Sequence, residues 1–244
     1  MKRAIFALAV LIGAAWAGRA ISAEEIIRAM ERNQVHDTAE ADGTLVITDR
    51  FGSRTKTFKS FSAGEDKMLI AFTNAEEKGQ KILKLQEEIY LYFPEAEEIV
   101  HLQGGALKQS VMGSDFSYED LTGEKGLLSL YDASLLGEEE LDGRRTYHLR
   151  LKGKKSGVAY PLEEIWVDAE LMVLKKANLY ALSGKLLKDL VVKEVKRIGG
   201  KNVPVAFLMR DKMKKVSSTE FKLANLRIDQ GLPPKIFSRE NLSW

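Results

Sequence analysis

KMLIAFTNAEEKGQKILKLQEEIYLYFPEAEEIVHL, residues 67–102, decides the fold. Four runs rich in β-branched and aromatic residues lie inside it, at 67–73, 80–85, 88–93 and 97–102, broken by Asn74 to Gly79, Gln86-Glu87 and Pro94-Glu95. Links this short cannot hold a crossover helix, so consecutive strands pair antiparallel. Two of the runs are apolar on both faces. Ile89, Leu91 and Phe93 alternate with Tyr90 and Tyr92, and Met68, Ile70 and Phe72 alternate with Leu69 and Ala71. A sheet with one face in water has no use for that pattern. It fits a curled sheet that covers a helix or encloses a hydrophobic cavity, although a well-filled core gives the same periodicity.

Strand signals continue outward in both directions. Residues 44–49 and 54–61 precede the opening stretch, which makes a six-strand meander, and a sheet of that size curls. Beyond residue 131, runs at 134–139, 145–152, 163–168, 172–180, 185–198, 203–214 and 218–228 are separated by turn signals such as Asp142-Gly143, Ser183-Gly184 and Gly199-Gly200. Tyr147, Leu149 and Leu151 alternate with His148 and Arg150, and Val203, Val205, Phe207 and Met209 repeat the pattern. The tail from Pro233 to Trp244 reads as a short helix or an ordered arm. No repeat, linker or composition break divides the chain, so residues 24–244 are expected to form a single domain.

The start of the chain has a different character. Lys2 and Arg3 precede an apolar run from Ile5 to Ala17, with small residues at Ala15, Ala17, Ser22 and Ala23, the pattern of a secretory signal peptide over residues 1–23 cleaved after Ala17 or Ala23. The run is well short of the roughly 20 residues that span a bilayer. With no cysteine in the chain there is neither a disulfide nor a thiol for a lipid anchor. The expected location is therefore a bacterial periplasm, as a free protein. A helix follows from about Ser22 to Asn33, where Ser22 and Glu25 have capping-box spacing and Ile26, Ile27 and Met30 form a stripe.

Loss of residues 1–23 removes Lys2, Arg3 and Arg19 and no acid, moving the formal charge from +2 to −1. That balance lacks the attraction nucleic-acid binding requires. The clusters Lys152/Lys154/Lys155 and Lys212/Lys214/Lys215 read as solvated strand edges or turns.

Between the two β regions lies KQSVMGSDFSYEDL, residues 108–121, followed by a second short helix near 124–131. Ser114 or Asp115 is expected to cap a short helix carrying Phe116, Tyr118 and Leu121, with Glu119 and Asp120 on its solvated side. On spacing alone this is a loop plug or a lid over a cavity. Catalytic machinery is not legible. His36, His101 and His148 are scattered without metal-ligand spacing, with His101 and His148 expected to face solvent, and no GxSxG, P-loop or GxGxxG occurs.

GQKILKL at Gly79–Leu85, YLYFP at Tyr90–Pro94 and above all LKQSVMGSDFSYEDL at Leu107–Leu121 resemble the outer-membrane lipoprotein-sorting family related to LolA. The resemblance implies a mainly β fold with a few helices: a strongly curved, half-open antiparallel β-barrel covered by helices. It also implies a carrier of lipoprotein acyl chains or free lipid, passing cargo from an inner-membrane transporter to an outer-membrane acceptor. No cofactor, metal, catalytic residue or nucleic-acid partner is expected, and the carrier is expected to be a monomer. Other outcomes of the same fold are an envelope sensor and an accessory of a lipid-exporting transporter. The expected lining of the lipid-binding cavity is Leu45, Ile47, Phe58, Leu69, Leu91, Phe93, Met112, Phe116 and Tyr118, a set in which a one-residue register error exchanges the two faces.

Overall fold

The computed structural model describes residues 20–122, 126–155 and 157–243, so most of the expected leader lies outside the described residues. Its framework is one 13-stranded antiparallel sheet. In chain order the strands are β1 (Ala39–Asp49), β2 (Gly52–Ala63), β3 (Lys67–Phe72), β4 (Lys81–Leu85), β5 (Glu88–Phe93) and β6 (Glu98–Leu102) in the first half. The second half comprises β7 (Tyr131–Leu141), β8 (Arg144–Gly153), β9 (Leu162–Asp168), β10 (Leu174–Tyr180), β11 (Leu186–Ile198), β12 (Lys201–Asp211) and β13 (Ser217–Ile228). The helices are α1 (Ala23–Gln34), α2 (Tyr118–Thr122) and α3 (Leu127–Leu130).

Two meanders, β1 to β6 and β7 to β13, join where β1 pairs with β13, which leaves β6 and β7 as the two free edges. The sheet is curved but not closed. Register shifts between Glu40 and Asp42, Val192 and Glu194, and Leu135 and Gly137 supply bulges, which bend a strand and raise its twist. This topology has a direct consequence. The chain leaves β6 at one edge and must start β7 at the other, so the segment between them has to cross the open side of the curve.

The concave side is filled by apolar residues of the sheet and of α1. Ser22 and Glu25 form the expected capping box, each side chain accepting the other residue's backbone N–H at 3.2 and 2.8 Å. Ile26, Ile27 and Met30 are buried against the sheet, and Asn33 holds the helix end by donating to the Leu171 and Met172 carbonyls. At the far end of the helix's stripe the Glu31 carboxylate accepts the Leu127 N–H at 2.8 Å, tying α1 to α3.

The second apolar face of β3 to β5 has a separate cause. A C-terminal arm with two 3-10 turns, Pro234–Phe237 and Glu240–Ser243, lies across the convex side, where Phe237 and Leu242 pack with Leu69, Leu83, Tyr90 and Tyr92. Lys81 donates to the Asn241 and Leu242 carbonyls at 3.1 and 2.9 Å, and the Arg239 guanidinium stands 4.9 Å from the Tyr90 ring centre. The tail is therefore an ordered arm, and it gives the tyrosines of IYLYF a dry partner.

The strand expected at 44–49 differs at its start, and the one expected at 203–214 begins at Lys201 and ends earlier than expected. β1 starts five residues earlier because Ala39 to Gly43, a polar stretch, is held on both sides by β2 and β13. β12 stops at Asp211, and Lys212, Lys214 and Lys215 form the hairpin tip that follows.

Candidate functional site

The edge-to-edge crossing is built from tight local turns. Gly104–Lys108 and Val111–Gly113 are 3-10 turns, and Met112 (φ 50°) and Gly113 (φ 73°) both adopt left-handed backbone. The reversal brings Ser110 and Ser117 into a β-bridge, with the Val111 N–H donating to the Phe116 carbonyl at 2.9 Å. The Ser114 hydroxyl closes the loop from inside, donating to the Phe116 carbonyl and accepting the Phe116 N–H.

The helix cap expected at Ser114 or Asp115 sits instead at Ser117. The Ser117 N–H donates to Asp120 Oδ2 at 2.8 Å, and the Asp120 N–H donates to Ser117 Oγ at 3.2 Å. Because the chain is still reversing at Ser114, the first residue able to cap is three positions later.

Asp115, expected as a helix cap, and Asp120, expected on the solvated side, are both anchors with buried side chains. Asp115 is 1% exposed; its carboxylate accepts from Ser217 Oγ at 2.5 Å and Thr219 Oγ1 at 2.9 Å, with Lys214 Nζ at 3.4 Å. Lys214 also donates to the Ser114 carbonyl at 2.8 Å. Asp120 accepts from the Tyr160 hydroxyl at 2.7 Å and from Lys188 Nζ at 2.5 Å. The cover is thereby fastened to β13 by one acid and to β11 by the other. Burial, and then the neighbouring Asp120 charge, pushes the Tyr160 hydroxyl well above its ordinary pKa, and burial raises that of Tyr118. Both phenols stay neutral and can act as donors.

Beneath this cover lies an apolar cavity of about 340 Å³. Its wall is mainly apolar, with Phe58, Ile70, Leu121, Phe207, Phe221 and Leu223 among its members, while Gln34, His36, Glu40 and Ser62 give one end a polar character. Cavities of roughly 300 Å³ and above are the size range of small-ligand sites. A second cavity of about 180 Å³ is lined by Met30, Leu127, Tyr160, Ile165, Leu179 and Met209. Gln34 borders both, and α2 stands between them, with Leu121 on the larger and Asp120 on the smaller.

An aromatic cluster shapes the larger wall. The Phe221 ring lies 5.7 Å from Phe58, 5.9 Å from Phe116 and 5.8 Å from Phe207, so three strands and the cover meet at one side chain. Phe58 can lie across β1 because residue 43 is glycine: a Cβ there would come within 2.0 Å of the Phe58 ring.

Of the nine residues expected to line the cavity, Phe58 stands on its wall. Leu45, Ile47, Leu91, Phe93, Met112, Phe116 and Tyr118 belong to the concave-side core around it without forming the wall. Leu69 requires correction. It faces the convex side under the C-terminal arm, and its neighbours Met68 and Ile70 face the cavity. Since β3 is apolar on both faces, its pattern contains nothing that fixes which set points inward. Phe207, Phe221 and Leu223 were missed, although Phe221 and Leu223 alternate with Glu220 and Lys222, a signal sufficient to place them inside.

The histidines remain apart. His36 is buried near the polar end of the cavity, with Lys201 Nζ 3.4 Å from its Nδ1. His101 stacks on Tyr90 on the convex face. His148, expected to face solvent, is only 14% exposed in its side chain, stacked 4.3 Å from Trp166 and bonded through Nδ1 to Glu139 at 2.7 Å. Among the described residues no group of three or more acidic, histidine or cysteine side chains is arranged to hold a metal ion.

The closely similar solved structures share this fold. A DUF1329 family protein from Desulfovibrio piger superposes with a TM-score of 0.84 at 24% identity, over 89% of this chain and 96% of that one. An outer membrane lipoprotein-sorting protein domain from Vibrio parahaemolyticus gives 0.82 at 22% identity, over 91% and 97% of the two chains. A LolA superfamily protein from Nitrosomonas europaea gives 0.76 at 22% identity, over 91% and 100%. At these identities the likeness establishes the fold, a LolA-like open sheet with helices. No curated protein matches the sequence. The model of a family described as "uncharacterized protein" matches residues 64–244, most of the chain, and the protein belongs to that family, built on the LolA-like fold.

Proposed function

We propose that the protein is a periplasmic carrier that holds acyl chains of lipoproteins or lipids, without covalent attachment, in the concave cavity and moves them towards the outer membrane. The observation that carries this reading is the apolar cavity of about 340 Å³ under a cover that bridges the two free edges of the sheet. A chain of about fifteen methylenes is averse to water by on the order of 12 kcal/mol, so it does not cross an aqueous space bare. A bilayer offers the same gain. The carrier therefore needs only near-parity with the membrane, which a wall rich in phenylalanine, leucine and isoleucine, polar at one end alone, supplies.

The two cavities also set a requirement for motion. A chain too long for the larger one extends into the smaller only if α2 shifts, because α2 separates them. Native mass spectrometry of protein purified from a membrane-containing host should show bound lipid, and the delipidated protein should take up a fluorescent fatty acid. Leu223→Trp, which fills the wall, should weaken that uptake at least tenfold while the melting temperature holds. Absence of lipid together with absence of uptake by the wild type refutes the carrier reading.

A further inference from the structure

One end of the sheet carries apolar side chains where turn chemistry does not call for them. Asp49 pairs with Gly52 on one side and Ser217 on the other, so the β1–β2 tip and the β12–β13 tip lie side by side, at the end of β1 away from Ala39 and the polar end of the cavity. At these tips Phe51 is 81%, Met213 54% and Val216 62% exposed, and Leu182, 89% exposed, occupies the β10–β11 tip at the same end. Tips ordinarily carry glycine, asparagine, aspartate or serine, which the backbone needs there. Large apolar groups held out in water at neighbouring tips need a different reason.

Basic charge is interleaved with them. A surface hollow of about 360 Å³ beside the β12–β13 tip is lined by Arg210, Lys212, Lys214 and Lys215 against the single acid Asp211. Asp189 offsets Arg210 and Lys212 at 2.7 and 2.5 Å, and Lys214 is committed to Asp115, but Lys215 is exposed at the rim; Lys185, near Leu182 in the β10–β11 tip, and Arg50, whose guanidinium lies 4.5 Å from the Phe51 ring centre, are exposed on the neighbouring tips. Of the other tips at this end, the β3–β4 and β5–β6 links carry Glu76, Glu77, Glu95 and Glu97, whereas the β8–β9 link, beyond the β10–β11 tip, carries the exposed Lys154 and Lys155. The exposed bases of this end therefore run from the β1–β2 tip to the β8–β9 link, on one side of the acidic β3–β4 and β5–β6 links, on a chain whose expected mature charge is close to zero.

We propose that this corner docks on an anionic phospholipid surface, with Lys185, Lys215 and Arg50 at headgroup phosphates and Phe51, Met213, Val216 and Leu182 dipping below them. The arrangement fits a bilayer better than an acidic protein. The apolar groups stand on separate protruding turns with bases beside them, which suits a soft layer whose phosphates lie above its acyl chains, and they do not merge into a groove for one rigid partner. Surface docking is separate from cargo uptake, since none of these residues lines either cavity.

Co-sedimentation of the full chain with phosphatidylethanolamine/phosphatidylglycerol vesicles, against phosphatidylcholine vesicles, tests the proposal. Binding should be confined to the anionic vesicles and fall as salt rises. Lys215→Gln should weaken it about fivefold, the worth of one basic residue (~1 kcal/mol) at such a surface, and Lys185→Gln with Lys215→Gln roughly 25-fold. Phe51→Ser with Met213→Ser should weaken it at least tenfold at a salt concentration where the lysines are screened. All variants should keep wild-type uptake of the fluorescent fatty acid and wild-type melting, and Leu223→Trp should bind vesicles as the wild type does. Equal binding to neutral vesicles, no binding at low salt, or full binding by the tip variants overturns the proposal.

Discussion

Asp115→Ala tests whether the cover is held by the anchors described above. The carboxylate accepts from Ser217 at 2.5 Å and from Thr219, itself fully buried, at 2.9 Å. Hydrogen bonds to a charged group contribute about 1.5–3 kcal/mol each, and removal of a buried acceptor strands its donors. Against this, alanine relieves the cost of burying the charge, and Lys214, with a side chain about one-third exposed, can turn to water. The net loss should be about 2–3 kcal/mol. Because both donors sit on β13 while the acceptor sits on the crossing segment, the loss should fall on that attachment rather than on the sheet. Hydrogen exchange of residues 103–122 should therefore accelerate by roughly 30- to 150-fold, while amides of β1 and β12 keep their protection. A double-mutant cycle with Thr219→Val should return a coupling of about 2 kcal/mol. Unchanged exchange in the crossing segment, or a coupling near zero, would refute the assignment of Asp115 as an anchor.

Three further outcomes follow from other parts of the molecule. Gly43→Ala should displace the Phe58 ring, costing about 1–3 kcal/mol in urea unfolding and changing fatty-acid affinity, because the new Cβ would stand 2.0 Å from that ring; an unchanged midpoint and affinity would contradict the packing. Truncation after Asp229 should strip the arm from Leu69, Leu83, Tyr90 and Tyr92, and increased binding of a hydrophobic dye with loss of solubility would report it. Acid should destabilise in a defined window. Burial alone would raise the Asp168 carboxyl pKa, but the Arg144 ion pair and the Leu171 and Glu170 N–H donors hold it below its ordinary value, and Arg210 and Lys212 do the same for Asp189. The unfolded chain then binds more protons than the native one, so this stability is complete above about pH 4 and drains as pH falls further; Arg144→Gln should flatten the fall measured by urea midpoints.

The strand content was legible because the links are short. Turns such as Gln86-Glu87 and Asp142-Gly143 leave antiparallel pairing as the only solution, and Ser22 with Glu25 marks where α1 begins. The family pattern within residues 107–121 now has a local explanation. Met112 and Gly113 make the reversal, Ser114 closes it, Asp115 fastens it, Ser117 and Asp120 cap α2, and Leu121 meets the cavity. What spacing could not supply was the partner of each polar group. Asp115 and Asp120 look alike in sequence to solvated helix acids, and only β13 and β11, about 100 and 70 residues away, make them buried anchors. The same limit applies to Leu69, whose face was decided by an arm more than 160 residues later.

The pairing of β1 with β13 also governs how the molecule can come into being. The first strand made and the last strand made are partners along ten residue positions, from Ala39 with Ile228 to Asp49 with Ser217. Until β13 exists, the β1–β6 meander has a bare edge bearing Leu45, Val46 and Ile47, the sort of edge that recruits strands from other chains. Contacts of such sequence separation form late and slowly. An emerging chain therefore cannot finish its sheet piecemeal, and the N-terminal half must be kept from self-association until the C-terminal end has arrived.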